Sequence, residues 1–135
     1  MISVDNLTEQ HLIAGVQWIS KMSESDRWNL TDEQVARLLG MEAPIYQDTK
    51  RKALNGQPVV LANAALERLS LLLGIWKGLN LFVPHERQDL AFEWFSKPTK
   101  STTFNQKSIK DFLLESNSTE SFDRVITYLR GHQYQ

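Results

Sequence analysis

The chain has 135 residues, of which 41% are hydrophobic and none is cysteine. This length fits one domain, or two small ones that share a core, and the absence of cysteine excludes disulfide bonds and any metal site or nucleophile built on a thiol. The formal net charge of −1 argues against nucleic-acid binding over the whole surface, because such binding requires a positive surplus. Any DNA-binding site must therefore be a local patch.

The first two predicted helices begin at recognisable capping residues. Asn6 can cap a helix whose apolar positions keep three- and four-residue spacing and which ends near Met22. Thr31 and Gln34 have the spacing of a capping box, in which each residue bonds the backbone of the other, and this predicts a short second helix. Gly40 is placed to end that helix in the left-handed conformation that only glycine adopts cheaply.

Two further helices follow before residue 84. Pro44 can open a third helix that runs to Leu54 and is broken by residues 55–58. Residues 59–83 form the most apolar stretch of the chain, but the uninterrupted apolar part is shorter than the roughly 20 residues that a bilayer requires. We therefore expect it to be the central helix of a soluble domain. Its most buried residues should include Leu69, Leu72, Leu73 and Trp76.

The remaining segments also have helical spacing. Pro84 can open a helix over residues 85–95, Ser108 can cap a short one, and Asn117 can open the last. The sequence predicts an all-α protein of about seven helices, with no strand. An N-terminal helix-turn-helix-like bundle, residues 1–58, should continue through the long central helix into a C-terminal helical domain, residues 59–135.

Residues that could support catalysis are few. His85 begins a segment close to the H-E-x-x-H zinc motif, but Asp89 stands where the second histidine is required. A polar first helical turn is the ordinary interpretation of this segment. Since no nucleophile or phosphate-loop motif is present, we expect a protein without enzymatic activity, cofactor or metal. The first residues lack the basic start and apolar block of a signal peptide, which favours a cytoplasmic protein.

The second and third helices have the pattern of a helix-turn-helix. Residues 31–39 and 44–54 are joined by a short turn that contains glycine, and the second helix of such a motif can lie in the DNA major groove. Its basic residues would meet phosphate, and polar residues near its start would meet base edges. The candidates are Lys50, Arg51 and Lys52 for phosphate, and Tyr46, Gln47 and Thr49 for bases. Acidic residues share this region, and a glycine turn also joins helices in proteins that never touch DNA.

The chain resembles the Xre/MbcA/ParS antitoxin family. The resemblance begins with Thr31 to Gly40 and the proline-led basic helix, and continues through Leu66 to Leu79 of the central helix. The segment from Phe92 to Pro98 is similar to the tryptophan-led helix end of that family, and Val125 to Gly131 is similar to its closing helix. The resemblance thus covers nearly the whole chain.

This resemblance implies a type II antitoxin. Such a protein binds and neutralises a RES-domain toxin that consumes NAD, and it often represses its own operon by binding operator DNA. We also expect a homodimer. The alternatives are a stand-alone helix-turn-helix transcriptional regulator without a toxin partner, and an enzyme with a polar pocket around His85.

The resemblance places toxin binding in the C-terminal half. Gly131 can end the last helix, and a short polar tail that contains an aromatic residue follows. The predicted toxin-binding residues are Trp94, Arg130, Gly131, His132, Gln133, Tyr134 and Gln135. A terminal segment without function is the plainer interpretation of the tail, whereas aromatic residues and arginine are the types that anchor interfaces.

Overall fold

The fold is known from a computed structural model, which describes residues 9–98, 104 and 106–131, and for Phe82 only the backbone. The described residues form seven α-helices and no strand, which confirms the all-α prediction. The helices are α1 (Glu9–Met22), α2 (Asp32–Leu39), α3 (Ala43–Leu54), α4 (Asn63–Phe82), α5 (Asp89–Ser96), α6 (Ile109–Ser116) and α7 (Thr119–Gly131).

The capping signals of α2 act as predicted. The Thr31 backbone N–H donates to Oε1 of Gln34 at 2.9 Å, and the Gln34 N–H donates to Oγ1 of Thr31 at 3.1 Å. Gly40 follows the helix with φ of 71°. Because both ends of this eight-residue helix are satisfied by its own sequence, its position in the chain is set locally. The predicted cap at Asn6 lies outside the described residues.

Two helix starts differ from the prediction. α5 begins at Asp89 because the segment after Pro84 first makes a separate turn, in which the Arg87 N–H donates to the Pro84 carbonyl at 2.9 Å. Asn117 ends α6 instead of opening α7. It adopts φ of 41°, which asparagine tolerates better than most residues, and Ser118 caps α7 by accepting from the Ser121 N–H at 3.2 Å.

The chain divides into two compact units, Met1–Leu69 and Ser70–Gln135. The predicted boundary at residue 58 lies in the loop before α4, whereas the observed division falls within α4 itself. The first and last turns of this helix therefore belong to different units. No helix among the described residues is long and apolar enough to cross a membrane.

In the first unit, α3 packs against both α1 and α2. Trp28 and Tyr46 are fully buried there, and the Trp18 ring meets Trp28 edge-on at a centroid distance of 5.8 Å. The Gln17 side chain donates to the Ala53 carbonyl at 2.9 Å, which ties α1 to the last turn of α3. These contacts hold one face of α3 inside the unit.

The second unit is built around α6, which packs against α5 and α7. Phe104 is fully buried, with ring centroids 5.1 Å from Phe112 and 4.8 Å from Tyr128. α7 also contacts α4 at a glycine, since a Cβ atom on Gly78 would lie only 3.1 Å from Cβ of Leu129. The close approach of these helices therefore depends on the missing side chain.

Burial along α4 follows a narrower face than predicted. Leu69 and Leu72 are 5% and 0% exposed, as expected, and Ile75 and Leu79 continue the buried face. The prediction that Leu73 and Trp76 would be among the most buried residues is wrong, because both are only half-buried. The Trp76 ring is covered on one side by Phe92, with the rings stacked at 4.8 Å.

The burial pattern of α4 predicts different costs for the same substitution at two leucines. Leu72→Ala should lower the free energy of unfolding by about 2–5 kcal/mol, because it leaves a cavity in the core. Leu81→Ala is the matched control, since Leu81 is 62% exposed, and it should change stability by less than about 0.5 kcal/mol. Chemical denaturation of the two variants measures this difference. Equal losses would contradict the burial assigned to α4.

Candidate nucleic-acid interface

The turn between α2 and α3 has the hydrogen bonds of a Schellman motif. The Gly40 N–H donates to the Arg37 carbonyl at 3.2 Å, and the Met41 N–H donates to the Ala36 carbonyl at 2.8 Å. The positive φ of Gly40 disfavours any residue with a side chain at this position. Residues 40–42 therefore form a short, defined turn between α2 and α3.

The structure corrects two of the predicted base-contacting residues. Tyr46 is 0% exposed and Thr49 is 7% exposed, and the Thr49 hydroxyl donates to the Ile45 carbonyl at 2.8 Å. With Ala53 they form the buried face of α3. The prediction that Tyr46 and Thr49 reach base edges is therefore wrong. Their spacing of three and four residues was the available signal, since it puts all three side chains on one side of a helix.

The solvent-facing side of α3 carries a different set of residues. Gln47, Asp48 and Arg51 are exposed, and Pro44 and Ile45 are exposed in the first turn. Gln47 and Arg51 were predicted for the interface, whereas Asp48 and Ile45 were not. Tyr46 and Thr49 were predicted to contact bases because their side chains are polar. Which residues of α3 are exposed depends instead on their position around the helix.

Each of the three predicted phosphate-binding residues forms an ion pair within the chain. Nζ of Lys50 lies 3.0 Å from the carboxylate of Asp32 on α2. Arg51 and Lys52 share Asp48, with N to O distances of 2.6 Å and 3.2 Å. Residues 32–52 contain four acidic and four basic residues, so the local charge is balanced. Ion pairs this exposed contribute little to stability because solvent screens them, and a phosphate group can compete with them.

Two side chains of this region have shifted pKa values. Burial, followed by the charge of Asp32, raises the pKa of the Tyr46 hydroxyl well above its usual value, so it remains neutral. Among the described residues this hydroxyl has no hydrogen-bond partner. Hydrogen bonds from Arg51 and then Lys52 lower the pKa of Asp48. The Asp48 carboxylate therefore stays ionised throughout the neutral range.

A shallow depression of about 400 Å³ lies beside the start of α3. Its lining is mostly apolar with one acidic and one basic residue, and it comprises Pro44, Ile45, Asp48, Thr49, Lys52, Pro58, Val59 and Val60. Val60 is 89% exposed at its edge. The lining contains no histidine and no second carboxylate.

The segment around His85 is organised by an ion pair. Nε and Nη2 of Arg87 each lie 3.1 Å from a carboxylate oxygen of Asp89. The hydrogen bond from Arg87 lowers the pKa of Asp89. Within the described part of the chain, no group of three or more metal-ligating side chains could hold an ion.

Three of the seven predicted toxin-binding residues lie on two helices of the second unit. Trp94 on α5 is half-buried, and Nζ of Lys97 lies 5.5 Å from its ring centroid. Arg130 and Gly131 are exposed at the end of α7. The other four predicted residues, His132, Gln133, Tyr134 and Gln135, lie outside the described residues.

Comparison with known proteins identified no relative of this chain. The sequence matches no protein-family model, and searches of curated proteins and of solved structures found no match. Assignment of a function therefore depends on the residues and the geometry of this chain.

The ion pairs of Asp48 predict that the stability of the folded state depends on pH through this one carboxyl group. A lowered pKa means that the ionised form stabilises the folded state. This contribution is complete above the usual pKa of 3.8 and is lost as pH falls through the lower folded-state value. In Arg51→Ala, and further in the double variant with Lys52→Ala, the pKa of Asp48 should return toward its usual value. NMR titration of the carboxyl carbon measures it, and an unchanged pKa in the double variant would contradict the assigned contacts.

Proposed function

We propose that this chain is a type II antitoxin of the Xre/MbcA/ParS kind, which binds and neutralises an NAD-consuming RES-domain toxin and binds operator DNA through α3. The observation that carries the proposal is the order of its elements. A capped helix, a glycine turn and a proline-led basic helix precede a long apolar helix and a helix that ends before Pro98.

The DNA-binding part of the proposal is supported by the first unit. α3 is held on its inner side by α1 and α2, so its outer side is presented as a rigid surface. Gln47 is exposed in the second turn and can form two hydrogen bonds with adenine, and Arg51 can bind phosphate or guanine. Because homodimers bind paired half-sites, a second copy would double this surface on DNA.

The toxin-binding part is supported by features of the second unit. Trp94 is half-buried beside Lys97, and Arg130 is exposed on the last turn of α7. Tryptophan and arginine are the residue types most enriched among those that dominate interface affinity.

A stand-alone transcriptional regulator is the second candidate. The Schellman turn and the buried inner face of α3 favour it as much as they favour an antitoxin, because both functions require a rigid helix-turn-helix. The two candidates differ in whether a toxin is bound. A toxin assay therefore separates them.

The first test is inhibition of NAD consumption by the RES-domain toxin that the proposal predicts to be encoded beside this gene. The intact chain should abolish NAD loss when it is mixed with the purified toxin. Deletion of residues 131–135, which removes only the last residue of α7 and positions outside the described residues, should leave the melting temperature nearly unchanged and restore NAD consumption. Trp94→Ala should also weaken inhibition.

Asp123→Ala is the control for the toxin assay, since Asp123 is exposed on the same helix as Arg130 and was not assigned to the interface. It should inhibit as well as the intact chain. Full inhibition by the truncated protein would show that the tail is dispensable. No inhibition by the intact chain would overturn the antitoxin proposal and leave the stand-alone regulator.

The second test concerns operator DNA. Replacing Lys50, Arg51 and Lys52 by alanine should weaken binding at every sequence and flatten its salt dependence by about one unit of log slope for each lost phosphate contact. Gln47→Ala should instead change the preferred sequence. The control replaces Lys21, Lys77 and Arg124 by alanine. These three exposed residues lie on other helices, so the control removes the same positive charge without changing α3. Identical gel shifts for wild type and the α3 triple variant would overturn DNA binding by this helix.

A further inference from the structure

Asp48 lies in the middle of the exposed side of α3. Gln47 precedes it, and Arg51 lies one turn further along the same side of the helix. A carboxylate in this position would face the phosphate backbone if α3 entered a groove, and like charges repel. Its presence on the proposed DNA-binding surface therefore requires an explanation.

The contacts of Asp48 supply one. Oδ1 accepts from Nη2 of Arg51 at 2.6 Å, and Oδ2 lies 3.2 Å from Nζ of Lys52. Both carboxylate oxygens are thus occupied by cations that α3 would use for phosphate. The third cation, Lys50, is held by Asp32 on α2 at 3.0 Å.

We propose that Asp48 acts as an intramolecular substitute for a DNA phosphate, which holds Arg51 and Lys52 in the free protein and thereby limits the affinity of α3 for nucleic acid. This inference rests on the proposed DNA binding and deepens it, because it names the residue that regulates that surface. Asp48 is a positioning residue here, since it acts through two other side chains.

Replacing the Asp48 carboxylate by a DNA phosphate as the partner of Arg51 and Lys52 leaves the local charge balance unchanged. A phosphodiester carries one negative charge, as does the Asp48 carboxylate, so either anion can neutralise the same cations. The carboxylate has the advantage of being tethered three and four residues away on the same helix, where its effective concentration is high. DNA must therefore compete with a carboxylate that is always close to both cations.

The competing explanation is that these are ordinary stabilising pairs along a helix. Asp48 is N-terminal to Arg51 and Lys52, which is the favourable order for such pairs. A purely stabilising role predicts that loss of the carboxylate lowers the melting temperature and leaves DNA affinity unchanged. If Asp48 instead acts as a substitute for phosphate, loss of the carboxylate should tighten DNA binding and change its salt dependence.

The test compares the wild-type chain with Asp48→Asn on a short random-sequence DNA duplex, by fluorescence anisotropy between about 50 and 200 mM salt. Asp48→Asn should bind about three- to tenfold tighter at the lowest salt. Its log affinity should fall more steeply with log salt, by about one to two units, because two more cations contact phosphate. Asp48→Ala should behave in the same way.

Glu33→Gln is the matched control. Glu33 is exposed in the first turn of α2, and it forms no ion pair among the described residues. The substitution changes the net charge by the same amount without releasing Arg51 or Lys52. It should raise affinity less than Asp48→Asn and leave the salt slope unchanged.

The outcomes separate this inference from the proposed function. Binding by wild type and Asp48→Asn with equal affinity and slope would overturn the role of Asp48 alone. An equal gain from Glu33→Gln would also overturn it, because general charge would then suffice. Absence of binding by both Asp48 variants and by wild type at low salt would overturn DNA binding by α3 together with this role.

Discussion

The left-handed conformation of Gly40 is the constraint on which the proposed DNA-binding surface depends. The Gly40 and Met41 N–H groups donate to carbonyls of the last turn of α2 and close its end, so α3 starts three residues after Gly40 in a fixed direction. That direction brings Tyr46 into the core of the first unit beside α1 and α2. Once this side of α3 is buried, helical periodicity alone decides that Gln47 and Arg51 face solvent. A turn of other geometry would present a different set of side chains.

The electrostatics of α3 follow from the same orientation. Asp48 lies one turn before Arg51 and Lys52, which would otherwise add to a cationic surface, and it pairs with both. The result is a surface with high local charge density and little net charge. Such a surface has weak general affinity for phosphate, so binding depends more on contacts to bases and on geometry. This balance fits the proposed role as a repressor, because such a protein must dissociate readily from non-specific DNA.

Local signals in the sequence were sufficient for the helices whose ends are capped by their own residues. Thr31, Gln34 and Gly40 defined α2, because each acts on backbone groups within a few residues. The inner face of α3 could not be predicted from residue type, since tyrosine and threonine occur both inside proteins and at interfaces. It depends on where α1 lies, which is a long-range property. The same reason explains Leu73 and Trp76, because an apolar helix does not specify which of its sides its neighbours cover.

The second unit shows how such long-range packing determines what remains exposed near the proposed toxin-binding surface. Leu129 is 1% exposed, and its side chain occupies the space that a Cβ atom on Gly78 would need. α7 is thereby held against α4 close to its end. Arg130 is the next residue and is exposed. Its side chain therefore extends into solvent from a helix end whose position is already fixed. An arginine on a fixed support loses less conformational entropy when it binds than one on an unsupported segment. For this reason the anchored end of α7 is a suitable support for Arg130 in the proposed interface with a toxin.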